Sequence, residues 1–380
     1  MTDLPLHGIT VIALEHAVAA PLATRHMADL GADVIKIERP DGGDFARGYD
    51  AAVLGQATFF VWLNRGKRSF ALDLKAPASA TILQRLLARA DILVQNLAPG
   101  AAARLGLGWD TVHAAHPSLI LCDISGYGDT GPYAGRKAYD LLIQAETGLM
   151  GVTGSPDQPS RVGISAADIA TGMYALSGCL AALIRRGKTG KGSHIEIAML
   201  DALAEWMGSP YGHAMYGVGS PARSPSSHPK IAPYGIFATA DAAILIGIQN
   251  EREWAQFCAR VLHDPALATD PRFATNVARV ANRTALDTTI QTALTLMTAD
   301  AAESLLLEAG IASARVRDAA EAAAHPQFAA RHRFQPVSTP AGTIQALTPP
   351  WTIDGATLPM RAVPALGEHT AAILAELDAS

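Results

Sequence analysis

Runs of β-branched residues alternate with stretches of helical periodicity through the first 200 residues, and this alternation constrains the fold more than any other feature. Residues 9–14 form a short β-branched run, followed by residues 20–30, which are apolar at helical spacing and stop at Gly31. Residues 32–37 read as a second strand, and 69–74, 92–96, 119–125 and 194–198 as further ones, with a helix over 79–89. Strands alternating with helices predict a parallel sheet covered on both faces. Such sheets bind ligands outside the carboxyl ends of their strands, so polar residues just after strands are the first candidates for function.

The chain has 380 residues, more than the roughly 100–200 of one ordinary domain, which predicts two domains. The texture changes near residue 205. Ser209 to Pro233 is rich in Gly, Pro, Ser and His and reads as a connection. From Asn250 to about Arg331 the chain is alanine-rich and helical. The expected division is a large α/β domain over 1–210, a linker and smaller, mainly helical α+β domain over 211–330, and a C-terminal return to the large domain over 331–380. Thirty basic against thirty-five acidic residues give a net charge of −5. Without a broad basic field, neither nucleic acid nor an anionic membrane is an expected partner, and an anionic ligand must meet a local cluster. Cys122, Cys179 and Cys258 have no CxxC spacing and read as small buried hydrophobes. The N-terminus shows no secretion-signal pattern, and the apolar run 173–184 is shorter than the roughly 20 residues a bilayer needs. A cytoplasmic protein is expected.

Two familiar motifs fail on inspection. The turn after the first strand, Glu15-His16-Ala17-Val18-Ala19-Ala20-Pro21, lacks the glycines that let a backbone approach a dinucleotide pyrophosphate. Gly187-Lys188-Thr189-Gly190-Lys191-Gly192-Ser193 resembles a phosphate loop, but Ala182 stands where the first glycine belongs. A helix also precedes it and a strand follows, the reverse of the required order. It reads as a basic, solvated turn. No GxSxG elbow and no paired histidine metal spacing occur, and no metal is expected.

What survives is a set of polar residues at or after strand ends: Arg39, Lys75, Asn96, Arg104, Lys137 and Tyr139. Four cations on one sheet edge suit a ligand bearing several phosphates. Around them the sequence resembles the class III CoA-transferase family. The resemblance rests on Gly31-Ala-Asp-Val-Ile-Lys-Ile-Glu-Arg-Pro40, Leu63-Asn-Arg-Gly-Lys-Arg-Ser69, Leu72-Asp-Leu-Lys75 and Pro99-Gly100 with Arg104-Leu-Gly-Leu107. It continues in Gly126-Tyr-Gly-Asp-Thr-Gly-Pro132, Tyr139-Asp140, Gln144-Ala145, Thr153-Gly154 and Thr189-Gly-Lys-Gly192. The resemblance implies a Rossmann-like large domain and a homodimer of two interlocked rings. It implies that Arg39, Leu72, Lys75, Asn96, Arg104, Lys137 and Tyr139 line a coenzyme A site, the CoA thioester being substrate and no cofactor being permanently bound.

Asp168, in Gly163-Ile-Ser-Ala-Ala-Asp168-Ile-Ala-Thr-Gly172, matches the family's catalytic aspartate. Its own surroundings allow a plainer role, since Asp is a favoured cap at the start of a helix. With an ordinary carboxylate pKa near 3.9 it is expected to be ionised at neutral pH and to need no partner base. The family's racemases use a His–Asp pair, and Tyr139 stands where that histidine belongs; a tyrosine near pKa 10 is a poor base at pH 7. Formyl-CoA transferases carry a glycine run where this chain reads Ser227-His-Pro-Lys-Ile-Ala-Pro-Tyr-Gly235, which argues against formate and oxalate. The expected reaction moves CoA from an acyl-CoA such as succinyl-CoA to a small carboxylic acid such as mesaconate, itaconate, citramalate or malate. The alternatives are an α-methylacyl-CoA racemase and a formyl-CoA or carnitine-type transferase. His16, Arg47, His228 and Lys230 are the candidates for holding the acid's distant carboxylate.

Overall fold

The computed structural model describes residues 4–217 and 219–379. Contacts divide the chain into two compact units, one of residues 1–149, 161–209 and 327–380, the other of 150–160 and 210–326.

The first unit is built on six parallel strands: β1 (Thr10–Leu14), β2 (Asp33–Glu38), β3 (Lys67–Ala71), β4 (Ile92–Gln95), β5 (Ile120–Ser125) and β6 (Ser193–Ala198). Their order is β3-β2-β1-β4-β5-β6. The chain moves outward from β1 through β2 to β3, then returns to β4 on the other side of β1. The direction of winding therefore reverses between β1 and β4, and this switch point opens a crevice at the strands' carboxyl ends. The third strand begins and ends earlier than its sequence pattern predicts, so Leu72 lies beyond its end rather than within it, and Lys75, expected just after the strand, follows at a greater distance.

Alternate residues of β1 feed the two faces of the sheet, as the pleat dictates. Val11 and Ala13 face one cluster with Met27, Ala175, Leu176 and Cys179. Ile12 and Leu14 face the other, with Leu83, Leu86, Val112, Ile373 and Leu377. The helices up to residue 206 run α1 (Ala19–Asp29), α2 (Thr58–Asn64), α3 (Pro77–Leu87), α4 (Ala101–Arg104), α5 (Trp109–Ala115), α6 (Asp140–Glu146), α7 (Leu149–Val152), α8 (Ala166–Thr189) and α9 (Met199–Trp206). A C-terminal helix, Thr370–Asp378, closes the second face. All three cysteines are buried and free.

Every residue of α1 is buried, including its polar ones. Asp29 satisfies Arg65 through two bonds (2.9 and 2.8 Å) and Arg25 at 2.7 Å. Burial first, and then the neighbouring Arg25, Arg65 and Lys67, push the His26 imidazole down to about 2, so it stays neutral. The 24-residue α8 is long and apolar enough, by length and composition, to cross a bilayer, which the shorter apolar run in the sequence did not indicate. Its buried residues, among them Ala170, Gly172, Ala175, Leu176 and Cys179, instead pack it into the core beside α1. The crossing is tight: a Cβ on Gly172 would lie 2.6 Å from the Ala19 carbonyl oxygen and 3.0 Å from the Leu22 Cβ.

The second unit contains three antiparallel strands, β7 (Tyr234–Ala238), β8 (Ala243–Gly247) and β9 (Ala312–Arg315), in the order β7-β8-β9. Its core gathers Phe237, Ile244, Ile246, Trp254, Phe257, Leu286, Ile290 and Leu306. Residues 150–160 join this unit, where Arg223 donates to the Ser155 carbonyl at 2.8 Å.

Because the obstacle at Gly172 is backbone, Gly172→Val should force α1 and α8 apart. The expected cost is roughly 1–3 kcal/mol, as for other overpacked cores, and urea unfolding of the two proteins measures it.

Candidate active site

Two helix starts meet at the switch point. The turn after β1 leads directly into α1, and the Gly172 crossing brings the first turn of α8 to the same place. Asp168 lies in that first turn. It does not cap its own helix. Ser165 occupies the cap position without a side-chain bond, and Asp140, at the start of α6, supplies the missing acceptor. Asp140 Oδ1 accepts from the Ala167 and Asp168 backbone N–H groups at 2.8 and 3.3 Å. Its Oδ2 accepts from Gln144 Nε2 at 2.7 Å. Fully buried Gln144 in turn accepts from the Val162 N–H at 2.9 Å and donates to the Ile164 carbonyl at 3.2 Å.

Relieved of capping, the Asp168 carboxylate lies by the start of α1, where the Ala19 N–H favours its charged form. Burial, reinforced by the charge of Asp140 and opposed by that N–H, raises its pKa to about 7. The sequence expectation of a fully ionised carboxylate near 3.9 is therefore corrected. At neutral pH the group divides between its two forms, because the site withholds the water that would solvate the charge. Half-exposed Tyr49 stands within electrostatic range. Burial and the charges of Asp44, Asp168 and Tyr139 raise its pKa, keeping its hydroxyl protonated. The ring of Phe59 meets Tyr49 at 6.0 Å and belongs, with Val18 and Ile169, to the apolar packing beside Asp168.

Beneath the turn lies a buried charge network. Lys36 donates to Asp44 Oδ2 at 2.9 Å, and Lys67 to Glu15 Oε1 at 2.5 Å; both pairs are wholly shielded. Thr24 donates to the other Glu15 oxygen at 2.6 Å. Burial, with Lys36 adding to it against the pull of Glu15, lowers the Lys67 ammonium to about 7. The sequence reading missed this network. Its visible signal is Lys36 itself, which sits amid Val34, Ile35 and Ile37 in a central strand and so had to find partners inside.

The sequence candidates separate into groups. Arg39, Lys75, Arg104 and Lys137 are exposed, and each lies beyond the carboxyl end of a strand. Leu72 is buried just past β3, and Tyr139 is 63% exposed. Asn96 follows β4, but its side chain is engaged: it accepts from the His16 N–H at 3.0 Å and donates to the His16 carbonyl at 2.9 Å. The half-buried His16 ring packs 4.9 Å from Phe45, and burial lowers its pKa, so it offers a neutral imidazole rather than a cation. Arg47 does not fit the part of a carboxylate anchor for a substrate. Its guanidinium grips buried Glu38 through two 2.8 Å bonds and lies 3.7 Å from the Phe60 ring centroid. His228 and Lys230 belong to the second unit, where the His228 ring stacks on Tyr234 at 5.4 Å and its Nδ1 accepts from the Lys230 N–H at 3.2 Å. Among the described residues no cluster of three or more metal-ligating side chains occurs.

Removing the Arg47 fork leaves a buried carboxylate without its partner. Arg47→Ala should therefore cost about 3–5 kcal/mol in unfolding free energy, read by urea denaturation. Asp168 carries its own pH signature. Its folded-state pKa is raised from the ordinary 3.8 to about 7, so its favourable contribution is whole below about pH 4 and falls away as the pH rises through 7. Asp168→Asn should match the parent's stability near pH 4 and exceed it at pH 8; equal stability at both would contradict the raised pKa. Asp140→Asn, which keeps an acceptor for α8 but removes the charge, should lower the Asp168 midpoint measured by carboxyl carbon NMR.

Comparison with known proteins identifies the family. The model of CoA-transferase family III matches residues 6–370. The succinate–glutarate CoA-transferase of Agrobacterium fabrum is 36% identical, with 100% of this chain and 98% of that one aligned. The acetyl-CoA:oxalate CoA-transferase of Acetobacter aceti is 38% identical over 86% of this chain and 85% of its own. The succinyl-CoA–D-citramalate CoA-transferase of Chloroflexus aurantiacus is 33% identical over 88% and 84%. A crystal structure of a CAIB/BAIF family protein from Brucella suis superposes with a TM-score of 0.87 at 36% identity, covering 98% of this chain and 99% of the other. With the family model spanning nearly the whole chain and the same fold in a relative of known structure, the protein belongs to CoA-transferase family III.

Proposed function

We propose that this enzyme transfers coenzyme A from succinyl-CoA to a small dicarboxylic acid through a covalent intermediate on Asp168. The observation that carries the reading is the Asp168 carboxylate itself: freed from capping by Asp140, half-buried in the first turn of α8, and beside the start of α1.

The ionised carboxylate attacks the thioester carbonyl and expels the CoA thiolate, leaving a mixed anhydride. The thiolate then attacks the aspartyl carbonyl of that anhydride, releasing the donor acid and leaving an aspartyl-CoA thioester. The incoming carboxylate attacks this thioester and again expels the thiolate. Attack of the thiolate on the acceptor's carbonyl gives the new acyl-CoA and restores Asp168. Each step exchanges one acyl carboxylate or thioester for another, so no strong base and no metal is required of the chain. Shielding strengthens the nucleophile. The starts of α1 and α8 favour negative charge developing beside them. Arg39, Lys75, Arg104 and Lys137 supply positive charge at the sheet edge for the phosphates of CoA, and the enzyme works as a homodimer.

The relatives' names support dicarboxylate acceptors, glutarate and citramalate among them. Oxalate, which the missing glycine run argued against, returns to the candidates through the Acetobacter relative. Racemisation is disfavoured because Tyr139 stands where the family's racemases carry their histidine base.

Incubation with succinyl-CoA, followed by acid quench and peptide mass spectrometry, should find a CoA thioester on the Asp168 peptide that hydroxylamine removes. Asp168→Ala should lose the adduct and lower transfer by about 10⁴-fold or more while still binding CoA. Transfer that persists in this variant would overturn the assignment. Glutarate, oxalate, citramalate and mesaconate offered in turn as acceptors identify the acid.

A further inference from the structure

Three of the four residues between β1 and α1, Glu15, His16 and Ala17, have their backbone held by side chains. The Glu15 carbonyl accepts from Lys36 Nζ at 3.2 Å. The His16 N–H and carbonyl are both taken by the Asn96 amide, at 3.0 and 2.9 Å. The Ala17 N–H donates to Asp44 Oδ1 at 3.2 Å, and the other oxygen of Asp44 is fixed by the same Lys36 at 2.9 Å. Ala17 needs to be held, because its φ of +63° lies in the left-handed region that a residue with a Cβ disfavours. Two residues later comes Ala19 at the start of α1, so close to α8 that a Cβ on Gly172 would lie 2.6 Å from its carbonyl oxygen, and Asp168 stands one turn before that glycine.

We propose that Asp44 and Asn96 are positioning residues, which clamp the β1–α1 turn so that the Ala19 N–H is presented to the reacting carboxylate of Asp168. The inference rests on Asp168 being the nucleophile and gives Asn96 a task other than contact with CoA. Neither clamp residue touches the carboxylate, and both act through the backbone between them. A turn released from the clamp relaxes toward negative φ at Ala17 and carries the Ala19 N–H away. The groups left to act on Asp168 are then Asp140 from α6 and the phenol of Tyr49. Loss of the one backbone donor removes support from the ionised carboxylate, so its titration moves to higher pH.

Asp44→Ala and Asn96→Ala are the test variants, assayed for transfer from pH 5 to 9 with varied acyl-CoA. Both should lower kcat by up to about 10²-fold, the scale of a small misplacement at a reacting centre. Both should also shift the acid limb of kcat/KM, which reports the free enzyme, to higher pH. Ala17→Gly in the Asp44→Ala background should recover part of the lost rate, because glycine adopts the left-handed conformation without the clamp. A higher KM for acyl-CoA in Asn96→Ala with an unmoved acid limb would make Asn96 a CoA contact and overturn its role here. An unmoved limb in Asp44→Ala, or a rate loss that only follows the folded fraction seen by circular dichroism, would reduce Asp44 to a structural residue. Should Asp44→Ala fail to fold, Asn96→Ala decides the matter alone. Mass-spectrometric trapping on Asp168 in the parent enzyme separates these outcomes from failure of the nucleophile assignment itself.

Discussion

Gly172 lets α8 lie so close to α1 that a Cβ there would stand 2.6 Å from the Ala19 carbonyl, and the position of Asp168 follows from that contact. One turn before the glycine, the same helix carries the carboxylate to the start of α1. There the Ala19 N–H has no partner within its own helix and is free to donate outward. The place of the carboxylate therefore depends on a packing event rather than on a loop arranged around a ligand. A side chain larger than hydrogen at one position would separate Asp168 from the start of α1.

The second dependence is electrostatic. Lys36, Lys67, Glu15 and Asp44 are buried together beneath the turn, two charges of each sign. A buried pair of this kind adds little net stability compared with apolar packing, but loss of one member leaves an uncompensated charge. Its value here lies in direction. Lys36 reaches both the Glu15 carbonyl and Asp44, so charge pairing inside the sheet is converted into the shape of a turn at its edge. Arg47 serves the same region by holding Glu38, which accepts from the Asp44 N–H at 3.1 Å and from the Ser69 hydroxyl at 2.6 Å.

The division of labour between Asp140 and Asp168 explains how two carboxylates near one helix start take different parts. The capping geometry belongs to Asp140, whose oxygens are filled by backbone and amide donors. Asp168 keeps a single backbone donor and a poorly solvated site, and its pKa rises accordingly. Environments that separate the roles of paired carboxylates are a recurring way to make one of them reactive. The plain reading of Asp168 as a helix cap was reasonable from its neighbours in sequence. It failed because the cap came from another helix.

The sequence by itself determined the alternating architecture, since hydrophobic runs of strand length between helical stretches have few ways to bury both faces of a sheet. It also determined the family and pointed to Asp168 as a candidate, because ordered segments such as Gly31–Pro40 and Gly163–Gly172 can be matched without knowing where they lie. It marked the exposed cations after the strands, whose position at a parallel sheet's carboxyl edge follows from strand direction alone. Only the tertiary structure decided what Arg47, Asn96 and Asp140 do. Their partners are Glu38, His16 and the start of α8, and the last two pairings join residues 80 and 27 positions apart in the chain. It also decided the protonation of Asp168. Burial and the distance to a second carboxylate are properties of the folded surroundings, and no spacing along the chain records them.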